Sequence, residues 1–155
     1  MKYLFFLIVT GISTLSFSQN ELSEANAKLF IDVFFDGFHS GDTLKMKSVM
    51  MPNMMMQSAY VQSDGENKVR YSRGSDFLKV IAARPEGQVW DEQILGYEVL
   101  SDGNLAHVWT PYRFYVDGKF SHCGANSFTL VYTDESWKIL NIIDSRRVGS
   151  CEKEE

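Results

Sequence analysis

Residues 105–148 read LAHVWTPYRFYVDGKFSHCGANSFTLVYTDESWKILNIIDSRRV, and this stretch decides the fold class. Two short polar turns, Asp117-Gly118 and Asp134-Glu135, divide it into three segments rich in β-branched and aromatic residues. Segments of this kind joined by two-residue turns are typical of β-hairpins. The predicted strands are Leu105–Val116, Lys119–Thr133 and Ser136–Val148. With a further strand predicted upstream at Gln88–Leu100, they form an antiparallel meander of four long strands.

Upstream of the meander the apolar residues recur at steps of three and four, which is typical of amphipathic helices. This spacing predicts a helix over Leu22–His39 and a shorter one over Thr43–Met51, capped by Asp42. A third helix is predicted over Asp76–Arg84, with Ser75 as its cap.

Two shorter strands are predicted between the second and third helices, over Met54–Gln62 and Lys68–Ser72. Helices followed by a run of strands indicate an α+β domain with the helices packed on one face of the sheet. Because strand twist accumulates across a wide sheet, we expect the antiparallel sheet to curve around the helices and form a pocket.

The N-terminal residues have the layout of a secretory signal peptide. A cation at Lys2 precedes an apolar stretch from Tyr3 to Ile12, and small residues then lead to a predicted cleavage after Ser18. We therefore expect residues 1–18 to be removed, residues 19–150 to form one domain and residues 151–155 to be a short tail. The protein is expected in the periplasm or outside the cell, without a membrane anchor.

The charge of the chain argues against some kinds of partner. The formal net charge is −5, and loss of Lys2 with the signal peptide makes the remainder more acidic. An acidic protein repels phosphate backbones, so nucleic acid is not an expected partner. The sequence contains neither a Gly-x-Ser-x-Gly nor a His-Glu-x-x-His motif, and no cofactor is predicted.

The chain has two cysteines, Cys123 and Cys151. An even number of cysteines in an exported protein indicates a disulfide, which would stabilise the fold by roughly 3 to 4 kcal/mol in the chain-entropy treatment. The alternative is two unlinked thiols, one buried and one in the tail. Two cysteines without clustered histidines lack the ligands for zinc, so no metal site is predicted.

A count along the predicted strands brings polar side chains to the interior. Pairing about Asp117-Gly118 places Arg113 opposite His122 and Trp109 opposite Asn126, all on one face. Pairing about Asp134-Glu135 places Asn126 opposite an isoleucine, so this face belongs to the interior. A β-bulge at Pro111, in the predicted strand Leu105–Val116, would reverse the faces assigned to the first half of that strand.

An apolar interior with a few convergent polar groups is typical of a ligand pocket. We therefore predict that Trp109, Arg113, His122 and Asn126 contact a small-molecule ligand. The alternatives are a structural histidine and a solvent-exposed arginine. Asp144 is interpreted mainly as a charge that pairs across the sheet or faces water.

Several stretches resemble nuclear transport factor 2-like (NTF2-like) proteins. The end of the first predicted helix, FFDGFHSGD at residues 34–42, is similar to the corresponding helix of that superfamily. The segments at residues 112–119, 122–128, 137–139 and 144–147 resemble its sheet, and more narrowly the small exported bacterial members labelled SnoaL-like or lumazine-binding. The resemblance implies the cone-shaped fold, which carries many unrelated functions.

Ketosteroid isomerase, a member of that superfamily, catalyses its reaction with an aspartate base and an oxyanion hole of a tyrosine and a protonated aspartate. The resemblance places Phe34 at the tyrosine position, Ser58 near the base and Asn126 at the protonated aspartate. Phe34 is therefore included among the predicted ligand-binding residues, but the isomerase mechanism is not supported.

Three functions follow from the sequence. The first is an exported domain that binds a small, partly apolar molecule. The second is an enzyme of the isomerase, dehydratase or cyclase type, with His122 as general acid or base and Asn126 as a donor to an oxyanion. The third is a protein interaction module that forms a homodimer through its sheet.

Overall fold

The structure is a computed structural model that describes residues 22–134, 136–148 and 151; the predicted signal peptide lies outside the described residues. The described residues form three helices and seven strands. The helices are α1 (Glu24–Ser40), α2 (Thr43–Ser48) and α3 (Gly74–Ala82). The strands are β1 (Met50–Val61), β2 (Asn67–Arg73), β3 (Trp90–Ile94), β4 (Glu98–Asp102), β5 (Leu105–Val116), β6 (Lys119–Thr133) and β7 (Ser136–Arg147).

The seven strands form one curved, unclosed sheet in the order β2-β1-β7-β6-β5-β3, and β4 also pairs with β5. All neighbouring pairs are antiparallel except β1 and β7, which run parallel. The predicted α+β class with helices on a curved sheet is confirmed. The parallel pair was not predicted, because β1 and β7 lie at opposite ends of the sequence and no turn connects them.

The helix boundaries follow from local capping. The Ser23 hydroxyl accepts from the backbone N–H of Asn26 at the start of α1, and Gly41 ends the helix in the left-handed region, at φ 75°. Asp42 Oδ1 accepts from the first backbone N–H groups of α2, as predicted. The predicted end of α2 at Met51 was wrong, because β1 already begins at Met50.

Two further predictions of element boundaries need correction. Helix α3 begins at Gly74 and has no side-chain cap, so the predicted cap at Ser75 was wrong. The single strand predicted over Gln88–Leu100 is interrupted around Gly96, and β3 and β4 pair separately with the same edge of β5. Strands β5 and β6 have the predicted bounds.

The core lies between the helices and the concave face of the sheet. Helix α1 contributes Ile31 and a set of phenylalanines, and the sheet contributes apolar residues on the concave face of β5, β6 and β7. The most deeply buried of these sheet residues are Val108, Phe128, Leu130 and Ile139. Burial of these large side chains stabilises the packing of α1 on the sheet.

Two irregularities determine which residues of the central strands face the helices. The β5–β6 register shifts between Phe114 and Tyr115, which leaves Ser121 as an extra residue in β6. The β6–β7 register shifts between Thr129 and Leu130, which leaves Leu140 as an extra residue in β7. An extra residue moves every following side chain of its strand to the opposite face relative to a simple count.

The predicted disulfide is present, and Cys123 is bonded to Cys151. Cys123 lies on the convex face of the sheet, away from the helices, and is almost fully buried. The disulfide therefore holds the end of the described chain against the outside of β6. Within residues 22–148, apart from the undescribed Glu135, none of the helices has the length and apolar character needed to cross a bilayer.

Candidate functional site

A cavity of about 460 Å³ lies between α1, α3 and the concave face of the sheet. Its walls are mostly aromatic, and several of their rings stack or meet edge to face. The aromatic residues of the wall are Phe34, Phe35, Phe38, Phe77, Trp90, Tyr112, Phe114 and Phe128. Such a wall provides a large apolar contact area for a flat molecule.

A row of polar side chains crosses the concave face of the sheet at one level. Five residues on five neighbouring strands pair in sequence: Arg70 on β2, Ser58 on β1, Asp144 on β7, Asn126 on β6 and Thr110 on β5. The next level, towards the core, is apolar and contains Met56, Ile142, Phe128 and Val108. The cavity therefore has an apolar floor beneath a polar belt.

Glu92 and Asn126 form the first polar pair of the cavity. Asn126 Nδ2 donates to Glu92 Oε1 at 2.8 Å and lies 3.4 Å from the Thr110 hydroxyl. Burial raises the pKa of the Glu92 carboxyl to about 7; the Asn126 hydrogen bond opposes this shift, and the negative charge of Asp144 adds to it. Glu92 can therefore gain or lose a proton near neutral pH.

Tyr112, on β5, reaches across β6 to the polar belt at β7. Its hydroxyl donates towards Asp144 Oδ2 and the carbonyl oxygen of Ser145, each at 3.3 Å. Burial and the neighbouring carboxylates raise the pKa of Tyr112, which therefore stays protonated and remains a donor. The ring packs over Gly124, where an added Cβ would lie 1.6 Å from the Ser145 carbonyl oxygen and 3.1 Å from Tyr112 Cε1.

Two arginines line the same cavity. Arg146 Nε is buried and lies 3.9 Å from Asp144 Oδ2, too far for a hydrogen bond. Arg70, on the edge strand β2, is exposed at the rim of the cavity. Neither guanidinium has a hydrogen-bond partner among the described residues.

His122 lies in the cavity wall between Tyr112 and Phe114. Its Nδ1 is 3.0 Å from the Ser121 hydroxyl. Burial, together with the positive charge of Arg146, lowers the pKa of His122 to about 4. The imidazole is therefore neutral at pH 7.

The structure brings together three of the five residues predicted to bind a ligand. Phe34, His122 and Asn126 line the cavity. Trp109 and Arg113 lie on the convex face, where Trp109 pairs with Ser127 and Arg113 with Cys123. The predicted pairing was wrong because it did not include the extra residue in β6, so neither side chain reaches the cavity.

Sequence reasoning missed Glu92 and Tyr112, and it gave Asp144 and Arg146 little weight. Without the extra residue in β7, the predicted count paired Asn126 with Ile143, whereas the structure pairs Asn126 with Asp144. Glu92 lies in a short strand with no motif around it, and no signal in the sequence distinguishes it from an exposed glutamate. The described residues contain no group of three or more metal-ligating side chains close enough to hold a metal ion.

Neither the family models nor the curated proteins include a match to this chain. Solved structures do match it. An NTF2-like protein of unknown function from Pseudomonas putida is 11% identical with a TM-score of 0.63, over 79% of this chain and 84% of that one. A protein of unknown function with a cystatin-like fold from Nostoc punctiforme is 8% identical with a TM-score of 0.63, over 82% and 95% of the two chains.

Two similar structures carry a functional description. One is described as the beta subunit of an aromatic-ring-hydroxylating dioxygenase from Novosphingobium aromaticivorans, at 10% identity and a TM-score of 0.65, over 84% of this chain and 93% of that chain. The other is described as a dehydratase of the NTF2-like family from Streptomyces avermitilis, at 13% identity and a TM-score of 0.58, over 81% and 96%. The chain therefore has the NTF2-like fold. At these identities the likeness establishes the fold alone.

Proposed function

We propose that this protein binds a small, partly apolar molecule in the cavity between its helices and its sheet. The observation that carries the proposal is a cavity of about 460 Å³ in which an aromatic wall surrounds a few convergent polar groups. In this proposal Phe34 provides apolar contact, and His122 and Asn126 face the ligand. The neutral state of His122 favours a ligand that it meets through a hydrogen bond or ring contact rather than through an ion pair.

We also propose that the protein acts outside the cytoplasm. The N-terminal sequence has the layout of a cleaved signal peptide. A disulfide between Cys123 and Cys151 is compatible with an oxidising compartment. Intact-mass measurement of protein recovered from the periplasm or medium tests this proposal: it should begin at Gln19, and protein retained in the cytoplasm with residues 1–18 would contradict it.

A second function is supported by Glu92. A carboxyl group with a pKa of about 7 in an apolar cavity can take a proton from one atom of a substrate and return it to another, as isomerases and dehydratases require. One of the similar structures is described as a dehydratase. In this enzyme Glu92, rather than His122, transfers the proton, because burial keeps His122 a weak base.

A thermal-shift screen against metabolites, flavins, pterins and steroids tests the binding proposal. A ligand at one hundred times its dissociation constant adds about 2.7 kcal/mol to the free energy of unfolding, which raises the melting temperature measurably. The shift should be lost in Asn126→Leu and kept in Asn141→Leu, which makes the same change on the convex face of β7. A broad library that produces no shift would contradict the proposal.

The same compounds separate the two functions. If the protein is an enzyme, a stabilising compound is converted by wild type and not by Glu92→Gln, while Glu92→Gln still binds it. If the protein is a binding domain, incubation leaves the compound unchanged.

A further inference from the structure

We propose that the ligand of this cavity is an aromatic or similarly flat molecule with one carboxylate, which Arg146 binds together with Arg70. This inference rests on the proposed binding function and names the chemical class of the ligand. It starts from the two guanidinium groups that line the cavity without hydrogen-bond partners among the described residues.

Arg146, on β7, is placed to bind an anion. Its Nε is buried, and a buried N–H donor that lacks an acceptor is destabilising unless something else supplies one. Asp144 Oδ2 is 3.9 Å away and already receives the Tyr112 hydroxyl. The two groups form an ion pair without a hydrogen bond, so the Arg146 Nε–H still lacks an acceptor in the cavity. A planar guanidinium matches the two oxygens of a carboxylate.

The second arginine lies on the same side of the cavity. Arg70 is on β2 and Arg146 on β7, and only β1 separates these strands. Arg70 pairs with Ser58, which in turn pairs with Asp144 in the same polar row. Both long side chains line one cavity, so both guanidinium groups are available to one anion on that side of it.

The rest of the cavity restricts the charge and the orientation of the ligand. Glu92 is held on β3, at the opposite end of the strand order, and its carboxyl group disfavours an anion there. Because Asp144 and Glu92 are both acidic and the chain has a net charge of −5, a singly charged carboxylate is favoured over a phosphate. The apolar part of the ligand then lies against the phenylalanine rings.

The experiment is isothermal titration with two probes of nearly equal shape, 2-naphthoate and its neutral amide 2-naphthamide, at pH 7.5 and low salt. A hydrogen-bonded charge pair in a partly buried site corresponds to a preference of about ten- to a hundredfold for the carboxylate. Arg146→Met should reduce that preference to about one while leaving the affinity for the amide within about threefold. Arg70→Met, at the exposed rim, should reduce it by a few fold.

The matched control is Arg147→Met, which removes the same charge from the adjacent, exposed residue of β7. It should retain the full preference for naphthoate. A wild type that binds both probes equally, or a preference that survives both Arg146→Met and Arg70→Met, would overturn the carboxylate inference and leave the binding function standing. If neither probe binds, the inference of a flat aromatic carboxylate is overturned, while the binding function itself is decided by the thermal-shift screen.

Discussion

The concave and convex faces of the same three strands, β5 to β7, carry similar kinds of residue and have different environments. On the concave face Tyr112, Asn126 and Phe128 are buried. On the convex face Trp109 and Ile143 are 38% and 41% exposed. Because both faces mix aromatic, polar and apolar side chains, residue type alone does not distinguish the site. The register of the strands determines which side chains reach the site.

This comparison leads to a direct expectation. Side chains on the concave face have fixed neighbours, so their substitution should change stability, proton binding or ligand affinity. Side chains on the convex face are mostly half-buried or exposed, so their substitution should change less, except where the disulfide attaches the chain end.

The largest effect is expected at Gly124. A Cβ at this position would lie 1.6 Å from the carbonyl oxygen of Ser145, a backbone atom that cannot move without separating β6 from β7. Gly124→Ala should therefore lower the free energy of unfolding by at least about 4 kcal/mol, or prevent folding. Urea denaturation followed by circular dichroism measures the change.

The control is Gly96→Ala, since nothing lies within 4 Å of a Cβ added at Gly96. It should change stability by less than about 0.5 kcal/mol. Equal midpoints for Gly124→Ala and wild type would show that the close approach of β6 and β7 is not needed.

The fold was predictable from the sequence where it depends on local turns, and not where it depends on contacts between distant strands. The sequence at Asp117-Gly118 correctly predicted where β5 ends and β6 begins, because local turn chemistry depends on only a few residues. Pairing between distant strands depends on the whole fold, so the parallel contact of β1 with β7 has no local signal.

The candidate site was predictable only in part, for the same reason. Period-two alternation correctly grouped His122 with Asn126, because no extra residue lies between them in β6. The extra residues Ser121 and Leu140 then reversed the faces of the partner strands, which excluded Trp109 and admitted Asp144. Neither extra residue is a glycine or proline, so nothing in the sequence marked the shifts.

The convex face has one position where a large effect is expected. The bond between Cys123 and Cys151 closes a loop with a sequence separation of 28 residues. Its removal in Cys151→Ser should lower the free energy of unfolding by about 3.5 kcal/mol in the chain-entropy treatment. Denaturation of wild type with and without dithiothreitol should reproduce that loss, and the variant should be insensitive to the reductant. A wild type unaffected by reduction would contradict a stabilising role.

Glu92 should make stability depend on pH. Its pKa is raised from 4.5 to about 7, so the folded protein holds this proton more tightly than the unfolded chain. Protonation of Glu92 therefore adds about 3 kcal/mol to the free energy of unfolding below about pH 4.5. This contribution is lost as the pH rises through about 7. Glu92→Gln should remove this dependence and be more stable than wild type at pH 8, because the amide oxygen still accepts from Asn126.

The measurement is a series of urea titrations between pH 4.5 and 8.5. The contribution of His122 to stability has the opposite pH dependence, because its lowered pKa reduces stability as the pH falls from about 6.5 towards 4. The difference between the wild-type and Glu92→Gln curves therefore isolates the effect of the Glu92 carboxyl group. The control is Glu98→Gln, at an exposed position of β4. A difference curve that is flat from pH 4.5 to 8.5 would show that Glu92 is not buried in the folded protein.

The smallest effects are expected on the convex face, and they are the most direct way to break the comparison. Trp109→Gln and Arg113→Gln alter side chains that point away from the cavity, so each should leave the affinity for a cavity ligand within about twofold of wild type.

The predicted homodimer through the sheet is tested in the same preparations by analytical ultracentrifugation. A wild-type dimer that becomes a monomer in Trp109→Gln would assign this face to self-association. Loss of ligand affinity in a monomeric Trp109→Gln variant would instead mean that the two faces are coupled through β5, and the separation of binding from surface functions would fail.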